Sequence, residues 1–300
     1  MPDTIGLRQL YRSAIDADIA ARLAVHQSQI ARLTVGAATL AAVDAPAARP
    51  PLVLLAHGDS WFDYPLDGNT PSLGHSDVIA HLGGMGAVHP LIANVSHWGD
   101  ASTSEMSLPK QERMIQALND PANWLAGRKP DAILFSGGGD DIAGDQFCIF
   151  LDYANPAPAR LDQARFEKAL GVVEASYLDL FAFRDRYAPN VPIFGHAYDF
   201  AIPNGTHPPC IGPWLKPSLD YCGCTDPVLG AQIVSQALTG FRDLLRRLAA
   251  SPANNFILVD TQGTLKAADW ANELHPYPPG FQAIAAKFVA ALAVRFPGRI

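Results

Sequence analysis

The chain has 300 residues, 49% of them hydrophobic and 17% charged, with a formal net charge of −7. This is an ordinary composition for a soluble globular protein, and the length suits one large α/β domain or two small ones. The acidic balance, with no Lys/Arg-rich run, argues against a nucleic-acid backbone or an anionic membrane surface as partner. No apolar run reaches the roughly 20 residues of a membrane span. The N-terminus, MPDTIGLRQLYRSAIDADIA, carries charges throughout and lacks the apolar segment of a secretory signal. The expected location is therefore cytoplasmic, with export through a removed leader left open.

Along the chain, Leu7, Leu10, Ile15, Ile19, Leu23, Ile30 and Leu33 fall at near-helical spacing. They predict an N-terminal helical segment within residues 1–45 that packs on a core formed by 50–300. After a Pro/Ala connector, LVLLA (52–56) is apolar at successive positions, as a strand buried on both faces is. Further strands are expected at 91–96, 132–137, 191–196 and 256–261. Helices are expected at 75–82, 104–119, 162–187, 228–250 and 279–296. This alternation predicts a parallel sheet of about five strands in flavodoxin-like order, with helices on both faces. The Pro/Gly-rich, aromatic segment 198–227 is too long for an ordinary connection. It reads as an insertion or lid over the site, or as a passive surface insertion.

Ligands of open α/β sheets sit at the carboxyl ends of the strands, and the residues there are polar and glycine-rich. They include Gly58, Asp59 and Ser60 after the first strand, NVSHWGDAS (94–102) after the second and SGGGDD (136–141) after the third. His196 and Asp199 follow the fourth, and ADWANELHP (268–276) follows the fifth. Acyl transfer needs a hydroxyl activated by a base, an acceptor that holds the base in one tautomer, and donors for the developing oxyanion. Ser60 supplies the hydroxyl and His275 the base, and Asn272 or Asp269 is near enough to orient it. The N–H groups of Ser60 and Gly99 are candidate oxyanion donors.

With those residues in place, the chain resembles the GDSL/SGNH hydrolases. GDS (58–60) matches the nucleophile block, Gly99 the glycine block, GGDD (138–141) the Gly-x-Asn-Asp block and NELHP (272–276) the Asp-x-x-His block, each of the last two with one departure. The resemblance covers roughly 50–296 and implies a three-layer α/β/α fold. It also implies serine-dependent hydrolysis of a carboxylic ester, small or polymeric, without metal or cofactor. At the family's oxyanion-donating Asn stands Asp140, which donates only when protonated. At the orienting Asp stands the neutral Asn272. Position favours Asn272 as the orienting group, whereas charge favours Asp269, three residues earlier.

Other readings stand beside this one. Ser60 also suits a helix N-cap. Trp61, Trp98 and Trp214 are expected to line a substrate pocket, or to belong to the core as large aromatics usually do. Asp140 and Asn272 together leave room for a catalytically impaired binding module on a hydrolase scaffold. His57, Asp59, Asp140, Asp141 and His196 raise a metal-dependent phosphoesterase, disfavoured because no early Asp-x-His ligand pair is present. Of the four cysteines, Cys148, Cys210, Cys222 and Cys224, three crowd one loop-like segment without zinc-site spacing. They are expected reduced in the cytosol, and Cys210 would pair with Cys222 or Cys224 after export.

Overall fold

The structure is a computed structural model that describes residues 4–42, 49–65, 77–99, 101–205 and 212–300. In chain order it begins with helix α1 (Thr4–Ala42), strand β1 (Val53–Gly58), α2 (Val78–Leu82) and β2 (Leu91–Asn94). Then come α3 (Ser102–Glu105), α4 (Leu108–Asn119), β3 (Ala132–Ser136) and α5 (Gly139–Ile142). A small ribbon, β4 (Leu151–Asp152) and β5 (Arg160–Leu161), precedes α6 (Gln163–Tyr187) and β6 (Ile193–His196). The chain ends with α7 (Lys216–Tyr221), α8 (Pro227–Ala249), β7 (Phe256–Val259) and α9 (Pro278–Arg295).

Five strands form one parallel sheet in the order β2-β1-β3-β6-β7. Counted among themselves these are strands 2-1-3-4-5, the flavodoxin-like order, and it reverses at β1. The apolar run of β1 sits where the periodicity places it, with all six residues buried between two neighbours. Helices cover both faces, and Phe135, Tyr177, Phe194, Phe241, Phe281 and Phe288 are wholly buried between the layers. Each such ring contributes on the order of 2–3 kcal/mol through burial.

Two elements differ from the sequence expectation. The helix expected over 104–119 is two helices, α3 and α4, because Pro109 sits in the first turn of α4 and has no N–H to continue a preceding helix. The antiparallel β4–β5 ribbon was not expected, since two-residue strands carry no periodic signal. Elsewhere caps fix the boundaries: Asp162 accepts from the Arg165 N–H at the start of α6, and Asp226 from the Val228 N–H before Pro227 opens α8.

Helix α1 packs on β2 and the 310 turn at Pro121–Asn123. It buries Ile19 and Ile30. Its Arg22 donates to Asp63 Oδ1 and to the Ser96 carbonyl, each at 2.8 Å, and His26 Nε2 lies 2.9 Å from the Asn123 carbonyl. Among the described residues no helix is long and apolar enough to cross a membrane.

Candidate active site

The site forms where β1 leaves the sheet beside β3. A Cβ at Gly58 would lie 2.4 Å from the Ser136 carbonyl oxygen, so only glycine fits this approach. The Asp59 N–H donates to that same carbonyl at 3.0 Å, and the chain then turns, with Phe62 and Asp63 N–H groups donating to the Asp59 carbonyl. The buried Asp59 carboxylate accepts from the Trp61 N–H at 3.0 Å, the Ser136 hydroxyl at 2.7 Å and the Tyr198 hydroxyl. One carboxylate thus ties the ends of β1, β3 and β6. Burial pushes it up to about 6, against the three hydrogen bonds that pull it down. His196 completes the group: its Nε2 donates to Ser136 Oγ at 2.8 Å, and its Nδ1 accepts from the Tyr198 N–H. That is a neutral ring, in keeping with burial that lowers it to about 3.

The turn presents Ser60, whose Oγ lies 2.7 Å from His275 Nε2, across 215 residues of sequence. His275 Nδ1 lies 3.2 Å from Asn272 Oδ1. The same oxygen accepts the backbone N–H groups of Leu274 at 3.0 Å and His275 at 2.8 Å, which fixes it as the oxygen and not the amide nitrogen. His275 therefore carries its proton on Nδ1 and offers Nε2 to the serine hydroxyl. Asp269 does not meet the ring. Its carboxylate accepts the Lys266 N–H at 2.7 Å and closes its own turn. Of the two orienting candidates, the structure brings Asn272 to His275. Burial lowers His275 to about 3, and no carboxylate lies against the ring to oppose this.

Among the described residues, the backbone N–H groups of Ser60 and Gly99 donate to no protein group. Gly99 has φ of +78°, a left-handed conformation suited to glycine, and lines the groove between α1 and α4, not the cleft beside Ser60. Asp140, at the start of α5, lines the cleft with Ser60 and His275. Its carboxyl makes no hydrogen bond among the described residues. Burial raises it to about 8, helped by Asp59 and Asp141 and opposed by Lys110. The shift favours the protonated form, the one that can donate.

No protein-family profile matches the chain, and no curated protein matches it in sequence. Solved structures do. The lipase Lip_vut3 from a goat rumen metagenome superposes with a TM-score of 0.51 at 15% identity, covering 80% of this chain and 97% of that one. The likeness is one of fold, a parallel sheet covered by helices on both faces. Weaker likenesses are to an extracellular lipase of Streptomyces rimosus (TM-score 0.48, 16% identity, 79% and 98% covered) and to a member of the lipolytic G-D-S-L family from Veillonella parvula (0.45, 13%, 82% and 98%).

On this α/β scaffold the cleft beside Ser60 holds a small cavity of about 40 Å³. Its walls are apolar, with Trp61, Ile142, Phe147, Leu215, Val234 and Leu238 among them. Trp61 is thus on the cleft, and the Trp214 ring meets His275 edge-on at 5.6 Å. Trp98 is not on this cleft. It is 41% exposed, lies against His97, and borders a separate groove between α1 and α4. His57 is sealed beneath the site with its Nε2 2.9 Å from the Glu105 carbonyl, and burial lowers it to about 3. Among the described residues no group of three or more His, Cys, Asp and Glu side chains is placed to hold a metal ion. Cys148, Cys222 and Cys224 are free thiols, and Cys210 lies outside the described residues.

Two residues of this region, Tyr64 and Glu273, escaped the sequence reading, because their contacts are with remote segments, for which linear spacing carries no signal. Tyr64 packs against His275 at 4.5 Å, tilted by 40°, and accepts from Asn272 Nδ2 at 3.3 Å. Asp199, which the sequence places after the fourth strand, takes the N–H groups of Phe200, Gly263, Thr264 and Leu265, tying the end of β6 to the loop after β7.

Proposed function

We propose that the protein hydrolyses a carboxylic ester through an acyl-enzyme formed on Ser60. The observation that carries this reading is the 2.7 Å contact between Ser60 Oγ and His275 Nε2, at a cleft that Asp140 also lines. Ser60 Oγ attacks the ester carbonyl and passes its proton to His275 Nε2. The tetrahedral oxyanion is met by the N–H group of Ser60 and by the protonated Asp140 carboxyl, whose donation replaces that of an asparagine amide. His275 then protonates the departing alkoxide. Water enters by the reverse sequence, with His275 as base, and releases the acid and the free serine. Asn272 keeps the tautomer but offers the imidazolium no counter-charge, so proton transfer to a ring this buried is costly. The chain is accordingly a slow esterase relative to one with a carboxylate at that position.

The test is hydrolysis of p-nitrophenyl acetate and butyrate by the wild type and by Ser60→Ala, with fluorophosphonate labelling followed by mass spectrometry. Labelling at Ser60 and loss of turnover on its removal support the reading. Equal rates for the two proteins would leave a binding module on a hydrolase scaffold.

A further inference from the structure

Glu273 stands between Asn272 and His275 and is wholly buried. Its carboxylate accepts four backbone N–H groups from the 198–227 insertion. Oε1 takes Gly205 and Lys216, each at 3.0 Å, and Oε2 takes Leu215 at 2.8 Å and Trp214 at 2.5 Å. Four donors fill the acceptor capacity of an ionised carboxylate. The bonds are charge-assisted and dry, which makes them strong and geometrically demanding. Two of the residues they hold face the candidate chemistry. Leu215 forms part of the apolar cleft wall, and the Trp214 ring lies edge-on to His275. The loop that carries His275 thus also holds Gly205 and residues 214–216.

We propose that Glu273 is a specificity-determining clamp: by pinning Gly205 and residues 214–216 it holds Leu215 against the cleft and Trp214 against His275, forming an apolar wall on which the acyl chain of the ester packs. This rests on the esterase reading for the orientation of the substrate, with its carbonyl at Ser60 and its chain running along Phe147, Leu215, Val234 and Leu238. Replacing the carboxylate by an amide turns an NH2 toward two N–H donors. The clamp then opens on one side and Leu215 withdraws. Acetyl esters hardly reach that wall, whereas longer chains depend on it.

The experiment compares kcat/KM for p-nitrophenyl acetate, butyrate and octanoate in the wild type, Glu273→Gln and Leu215→Trp. In Glu273→Gln the octanoate-to-acetate ratio should fall on the order of tenfold, mainly through KM. Leu215→Trp, which reshapes that wall and leaves the clamp intact, should move the ratio in the same direction. A second arm follows binding of p-nitrophenyl octanoate to Ser60→Ala by tryptophan fluorescence, with and without Glu273→Gln; binding should weaken on the order of tenfold. An equal loss on all esters, an unchanged ratio, or octanoyl binding indifferent to Glu273 overturns the clamp. If Glu273→Gln fails to fold, Leu215→Trp decides: an unchanged ratio there overturns the proposal. Absence of hydrolysis and labelling in the wild type, with clamp-dependent octanoyl binding retained, would remove the esterase reading and leave the clamp standing.

Discussion

Asn272 grips His275 with a single oxygen, which accepts the histidine's backbone N–H at 2.8 Å and faces its ring Nδ1 at 3.2 Å. The amide sets both the loop conformation and the tautomer, but adds no charge to a ring that burial already drives toward neutrality.

The first prediction is therefore that Asn272→Asp speeds ester hydrolysis at neutral pH. The aspartate keeps the three contacts made by Oδ1, and Tyr64 can turn its hydroxyl to donate to the second oxygen. The negative charge raises the histidine toward its ordinary value and favours the imidazolium formed during attack. A gain on the order of tenfold in kcat corresponds to about one pKa unit of added stabilisation. Stopped-flow measurement of the acylation burst checks it, and a slower variant would remove Asn272 from the orienting role.

Asp140 predicts the pH profile. Its carboxyl is raised to about 8, so it donates below that value and repels the oxyanion above it. Wild-type kcat/KM should fall as pH rises through about 8. Asp140→Asn should be modestly faster at pH 7 and, with roughly a tenth of the wild type still protonated one unit above its pKa, on the order of tenfold faster at pH 9. A wild-type profile flat from pH 7 to 9 would show that Asp140 does not meet the oxyanion.

Stability should also depend on pH, with opposite slopes from two sets of buried groups. His57, His196 and His275 are lowered to about 3 when folded, so the unfolded chain binds the extra protons and stability is lost as pH drops below the ordinary histidine value toward 3. Asp59, Asp77 and Asp140 are raised to about 6, 7 and 8. Their contribution is fully present below the ordinary carboxylate value and is lost as pH rises through those values. Between about pH 4 and 6.5 the two sets oppose each other; above that range the carboxylates outnumber the opposing Lys110, which burial lowers to about 7, and below it only the histidines act. Tm by scanning calorimetry should be highest within that window and fall on both sides, and Asp140→Asn should soften the alkaline loss. A Tm still rising from pH 7 to 9 would contradict the assignment.

Asp59→Asn tests the buried tie between the strand ends. An amide cannot accept from Ser136, Tyr198 and Trp61 together, since its nitrogen meets a donor. A loss of about 1–3 kcal/mol in stability follows from the unsatisfied buried group. The turn bearing Ser60 should loosen, so kcat is expected to fall more than KM rises. Urea unfolding together with steady-state kinetics on p-nitrophenyl butyrate measures both.

Much of this architecture was legible without coordinates, for reasons particular residues make plain. VLLAHG in β1 is apolar because both its faces are covered, and the Gly-Asp-Ser that follows is constrained by local backbone geometry at the switch point. Strand identity, helix periodicity and the order of the polar blocks all depend on neighbours within a few residues. The break at Pro109 was also local and was overlooked because the apolar spacing continues across it.

The amino-acid sequence by itself determined a five-stranded parallel scaffold with polar groups at one edge, because burial and turn geometry act at short range. Only the tertiary structure decided that Asn272 and not Asp269 reaches His275, that Trp98 lies off the cleft, and that Glu273 accepts the N–H groups of Gly205, Trp214, Leu215 and Lys216. Those outcomes depend on where a side chain points after segments far apart in the chain have packed, and residues 272, 273 and 275 acquire their roles from partners 57 to 215 positions away.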